Sequence, residues 1–123
     1  MIGKIYTFNT PYYDRSTHQM SFKRRPALIL SGPRSNDYTV LPVSKVTDAT
    51  CIDPHYDIKI DPSVYPLSGL NCVSYVRIHK QTVLHRGSLG VYVGDLKTNY
   101  GDLYLEILER LEEFNSIVID DAI

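Results

Sequence analysis

The apolar residues of this chain change their period once, and that change bounds what the chain can fold into. Up to residue 93 they come in short stretches rich in β-branched and aromatic side chains, each closed by turn residues. From Leu103 onward the spacing becomes helical: Leu103, Ile107, Leu111 and Phe114 recur at four, four and three residues, with Glu106, Glu109, Arg110, Glu112 and Glu113 on the opposite side. The first pattern suits strands and the second an amphipathic helix of about 14 residues, with Thr98 or Asn99 as its N-cap. The expectation is a mainly β fold with a C-terminal helix packed on a twisted, partly closed sheet. At 123 residues the chain has the length of one domain, so residues 1–123 are read as a single unit.

The strands are expected as follows. Ile2 to Phe8 forms one and ends at Asn9-Thr10-Pro11; residues 10–23 show neither period and read as a long polar loop. Arg25-Pro26 then opens a short buried strand, Ala27-Leu28-Ile29-Leu30. Tyr38 to Val43 follows, with Pro42 pointing to an edge or a bulge because proline cannot donate to a ladder. His55–Ile60, Val73–Ile78 and Ser88–Val93 are further strands, the last two separated by a polar segment that contains Thr82-Val83-Leu84. Ile117-Val118-Ile119 reads as a last strand or as a tail that packs on a partner.

A net charge of −1 argues against a nucleic-acid partner until the charge is divided along the chain. Residues 1–45 hold seven basic and two acidic residues, a balance of +5; the remainder holds six basic and twelve acidic, a balance of −6. One half can therefore offer a polyanion site while the other keeps the protein soluble. No apolar run approaches the roughly 18 residues that span a bilayer, and the N-terminus lacks the apolar stretch of a signal peptide. A cytoplasmic location without membrane attachment is expected. Cys51 and Cys72, without metal-site spacing, are expected to be reduced and partly buried.

The common catalytic signatures are missing: there is no P-loop, no dinucleotide glycine motif, no HExxH and no nucleophile elbow. His55-Tyr56-Asp57 has no second ligand at metal spacing, so neither a metal nor a cofactor is expected. Basic residues concentrate at Lys23-Arg24-Arg25, and Ser44-Lys45 closes the next strand. If those strands pair as a meander, Arg25 and Ser44 become neighbours. A guanidinium beside a hydroxyl and a second cation suits a phosphodiester, whose transition state gains negative charge. The same residues also suit a plain strand start and a strand-end cap.

Read in order, Gly3-Lys4-Ile5-Tyr6, then Arg25-Pro26-Ala27-Leu28-Ile29-Leu30-Ser31, Val40-Leu41-Pro42-Val43-Ser44, and Gly87-Ser88-Leu89-Gly90 before an acidic C-terminal helix resemble the MazF/PemK family of toxin endoribonucleases over nearly the whole chain. The resemblance implies an SH3-like barrel and a homodimer. It also implies metal-independent cleavage of single-stranded mRNA at short motifs, by 2′-OH attack that leaves a 2′,3′-cyclic phosphate and a 5′-OH. Its expected partner besides RNA is an antitoxin whose acidic, disordered C-terminal segment fills the RNA groove.

Carried over by position, Arg25 falls on the family's catalytic arginine and Ser44 on its strand-end Thr/Ser. Gln19 matches the family's loop glutamine, with His18 where an acid is common. In this reading Arg25 binds the scissile phosphate and Ser44 binds a phosphate oxygen or orients the 2′-OH. His18 is a further candidate for proton transfer, since an imidazole takes up and releases protons near neutrality. Tyr12, Tyr13 and Phe22 are candidates for base stacking, and Lys23, Arg24 and Lys45 for the backbone path. Two other readings stand beside this one. The first is a non-catalytic inhibitor of a protein such as DNA gyrase, as in the related CcdB branch, whose Trp-Gly-Ile ending contrasts with Asp-Asp-Ala-Ile here. The second is an RNA- or peptide-binding SH3-like module.

Overall fold

In the computed structural model, which describes residues 1–123, the β-rich stretches before residue 96 form strands that pair with one another. The strands are β1 (Lys4–Asp14), β2 (Gln19–Arg34), β3 (Asp37–Ser44), β4 (Asp57–Ile60), β5 (Ser74–Arg77), β6 (Thr82–His85) and β7 (Leu89–Asp95). A single helical turn, α1 (Leu96–Asn99), and a long helix, α2 (Gly101–Ala122), complete the chain. All neighbours are antiparallel, in the order β4-β5-β3-β2-β1-β7, with β6 also paired to β3. The result is the mainly β fold with a C-terminal helix expected from the change of period.

Alternation divides the core between the two faces of the sheet. On one face Ile5 pairs with Leu28 and Leu28 with Leu41, while Val43 pairs with Val76 and Val76 with Ile58. These six side chains, with Ile60, Ile78 and Leu96, are covered by Leu103, Tyr104 and Ile107 of α2. On the other face Phe8, Ala27, Ile29, Tyr38 and Val40 form a smaller cluster, closed by Tyr6, Leu84 and Leu89 as the sheet curls on itself. Both faces are thus buried at the centre, as a short continuous apolar run such as Ala27–Leu30 requires.

Several expectations are corrected. Residues 10–23 are an extended hairpin: β1 and β2 stay in register from Ile5↔Leu28 out to Asp14↔Gln19. Beyond Phe8 and Ala27 this arm has no other strand beside it, so both its faces meet solvent. A period-2 signal needs one buried face, and none exists there. Thr82–His85 is a strand because Tyr38 and Thr39 supply the partners Leu84 and Val83. Pro42 lies inside an interior strand: β3 pairs with β6 through Asp37–Val40 and with β5 through Val43 and Ser44, so Pro42 falls at the change of partner and no ladder bond is lost.

The helix is longer than the amphipathic pattern, since it runs on through Ile117-Val118-Ile119 with all three exposed; backbone bonding within a helix is local and needs no sheet partner. Its cap is also different. Asp95 caps α1 by accepting from the Thr98 amide at 3.0 Å, and α2 begins after Tyr100 without a side-chain cap. Cys51 and Cys72 are free and exposed, where partial burial was expected. No helix is long and apolar enough to cross a membrane.

Candidate functional site

Ala27↔Pro42 fixes how β2 and β3 lie side by side, and two residues further along each strand stand Arg25 and Ser44 on the same face. Beyond the small core on that face the sheet opens into a cleft of about 480 Å³. Thr10 and Tyr12 of β1 form one wall, Arg25 and Ala27 the floor, Ser44 and Lys45 the end of β3, and Arg77, Lys80 and Thr82 the far wall. Four cations, Arg25, Lys45, Arg77 and Lys80, line it together with no carboxylate. Of the seven basic residues in the first 45, Arg25 and Lys45 line this cleft, joined by two cations from the acidic half of the chain.

The hairpin arm sorts the other candidates by face. Thr10↔Lys23 and Tyr12↔Ser21 share the face of Arg25, and the Lys23 ammonium lies 4.6 Å from the centre of the Tyr12 ring, within cation–π range. Thr10 Oγ1 donates to the Lys23 carbonyl at 3.1 Å, which ties the two strands at the cleft edge. Tyr13, Phe22 and Arg24 point to the opposite face, where Phe22 is 67% exposed. His18 and Gln19 are at the arm's tip, six to seven residues from Arg25 and so roughly 20 Å along an extended strand. The structure thus brings together Arg25, Ser44, Lys45 and Tyr12 in the cleft, sets Lys23 against Tyr12 at its edge, and leaves His18, Gln19, Tyr13, Phe22 and Arg24 outside. At the tip Tyr13 Oη and His18 Nδ1 are 3.4 Å apart, and Ser16 donates from its hydroxyl and its amide to Asp14, which holds that carboxyl below the ordinary range.

Arg77, Lys80, Thr10 and Thr82 were not candidates from the sequence. Arg77 sits opposite Asp57 across β4 and β5, and its guanidinium donates from Nε to Asp57 Oδ1 at 2.9 Å and from Nη2 to the Cys51 carbonyl at 3.0 Å. An alternating Ser-Tyr-Val-Arg segment signals a strand, but only pairing with β3 reveals that its last residue faces the cleft.

A family model described as the PemK-like, MazF-like toxin of type II toxin-antitoxin systems matches residues 2–114. This chain belongs to that family. Among solved structures, the MazF-like fold is shared with the Mycobacterium tuberculosis toxin MazF-mt6, at 19% identity over 92% of this chain and 96% of that one, with a TM-score of 0.65. A second, described as "Crystal structure of Mtb toxin", is 22% identical over 73% of this chain and 91% of that one, with a TM-score of 0.54. No curated protein sequence matches significantly. For a MazF-like toxin, the cleft between the hairpin arm and β5 is the candidate working surface.

Proposed function

We propose that the chain is a metal-independent endoribonuclease, the toxin of a type II toxin-antitoxin pair, which cuts single-stranded mRNA at a short motif. What carries the reading is the cleft with four cations, no carboxylate, and Ser44 next to Arg25. A phosphodiester brings negative charge, and its cleavage adds more in the transition state, so preorganised cations stabilise the reacting state more than the bound substrate. RNA supplies its own nucleophile. The 2′-oxygen attacks phosphorus, the bond to the 5′-oxygen breaks, the 2′-OH proton leaves, and the departing 5′-oxygen is protonated, giving a 2′,3′-cyclic phosphate and a 5′-OH.

In this reading Arg25 neutralises the scissile phosphate, since a permanently charged guanidinium is a donor and not a base. Ser44 holds a phosphate oxygen or the 2′-OH, and Lys45 and Lys23 follow the backbone. Tyr12 offers a stacking face inside the cleft. His18 can serve in proton transfer only if the arm folds over the cleft. The acidic C-terminal segment of an antitoxin would compete for the same cations. The exposed Ile117-Val118-Ile119 surface supports assembly as a homodimer, and mRNA as substrate implies action in the cytoplasm.

The test is primer extension on a long RNA in EDTA, comparing the wild type with Arg25→Ala. Discrete stops from the wild type, 5′-OH ends, and a loss of at least about a hundredfold in the folded variant are expected, in line with removal of a transition-state donor. Intact RNA across many sequences with folded wild-type protein would refute the reading.

A further inference from the structure

We propose that Arg77 is a fixed ligand for an RNA phosphate other than the scissile one, and that Asp57 is the positioning residue that fixes it. The inference rests on the endoribonuclease reading and extends it along the bound strand.

The Asp57 side chain is fully buried and already bonded by the protein: Oδ2 accepts from the Asp53 amide at 2.8 Å, while Oδ1 and Oδ2 accept from Arg77 Nε and Nη2 at 2.9 and 3.3 Å. The fork-to-fork geometry, with the Cys51 carbonyl as a third acceptor, fixes the plane of the guanidinium. Nη1 makes no hydrogen bond within the protein, and Arg77 lines the cleft. A guanidinium held on one side and unbonded on the other is a preorganised anion ligand, because it gives up little side-chain freedom when an anion arrives.

The tether also sets which phosphate it serves. Arg25 is on β2 and Arg77 on β5, two strand spacings of about 4.8 Å apart, and Asp57 draws the Arg77 side chain outward toward β4. The two guanidiniums are therefore held apart along the cleft and match successive sites on one polyanion. His79 also meets the pair: its Nδ1 is 3.6 Å from Asp57 Oδ1 and has no hydrogen-bond partner, and the Asp53 carboxyl, held low chiefly by the Tyr56 and His55 amides, lies close to it. His79 leaves the Asp57 carboxylate's bonds to Arg77 intact.

The test uses an RNA that the wild-type protein cuts, remade with deoxyribose at the cut so that it binds without reacting. Its affinity is measured across salt concentrations for wild type, Arg77→Lys, Arg77→Gln, Asp57→Asn and the double variant Asp57→Asn/Arg77→Gln. Arg77→Gln should bind about 10- to 100-fold more weakly, as expected for a lost charge-assisted hydrogen bond. Its salt dependence should flatten by about 0.7 in the log–log slope, the signature of one phosphate contact on a single strand. The double variant should show the same flattening while leaving no buried unpaired carboxylate, so it reports even if Arg77→Gln alone does not fold. Asp57→Asn keeps the cation but frees it, and Arg77→Lys keeps the charge without the fork; both should retain the slope and lose affinity. A merely structural Arg77 would leave the slope unchanged. Folded Arg77→Gln or double variant with wild-type slope and affinity overturns the proposal. A wild-type protein that cuts no RNA removes the endoribonuclease reading and this one together, whereas cutting with an unchanged slope removes only this one.

Discussion

Ile107→Ala tests the packing that holds the sheet in shape behind the cleft. Ile107 is completely buried at the centre of the larger core, beneath the face that carries Val43 and Val76, the neighbours of Ser44 and Arg77. The substitution removes three carbons, worth about 0.8 kcal/mol each in lost burial, or roughly 2.4 kcal/mol. A sheet held by antiparallel ladders relaxes little into the space, so a cavity contribution raises the expected loss to about 3–4 kcal/mol. At this chain length that is a fall of about 10–15 °C in Tm. Urea unfolding followed by circular dichroism measures it, with an unchanged m-value showing that the loss belongs to the native state. Glu109→Ala, on the exposed side of the same helix, is the control and should stay within about 0.5 kcal/mol. A loss below about 1 kcal/mol for Ile107→Ala would mean that α2 is not the lid of this core.

The polar clamp at the middle of α2 should be acid-sensitive. Glu113 Oε1 meets His55 Nε2 at 2.7 Å and accepts from Tyr56 Oη at 3.1 Å, and the His55 contact is the main reason its carboxyl is held below the ordinary value of 4.5. A lowered carboxyl stabilises the fold above its ordinary pKa and stops doing so as pH falls through the folded value, so wild type should exceed Glu113→Gln in Tm near pH 6 and converge with it well below pH 4.5. On the hairpin arm the two faces should separate in an RNA-binding assay. Tyr12→Ala, inside the cleft, is expected to cost about 1–3 kcal/mol of affinity, whereas Phe22→Ala on the outer face should leave it unchanged; equal losses would refute the division of faces.

What could be read along the chain was whatever a local pattern encodes. Ala27–Leu30 announced a buried strand, and the four-four-three spacing after Leu103 announced the helix. The residues 10–23 did not, because a two-stranded arm wet on both faces has no alternation to display. The overrun of α2 through Ile117-Val118-Ile119 was hidden for the opposite reason: β-branched residues read as strand, yet a helix already started continues by bonds to its own preceding turn. Arg25 and Ser44 stood out because a meander of adjacent strands brings them close at short sequence separation. Arg77 did not, since its place in the cleft depends on β5 crossing over to β3.

The sequence alone therefore determined the elements that rest on neighbours in the chain, the core residues of β2 and α2, and the basic bias of the first 45 residues. Tertiary structure decided the rest. Which basic residues share one cleft and which carboxylate steadies Arg77 follow from register between strands separated in sequence, and which face of the arm Tyr12 and Phe22 occupy follows from how the hairpin joins the curled sheet. That register is set by burial of both sheet faces at once, and no local pattern carries it.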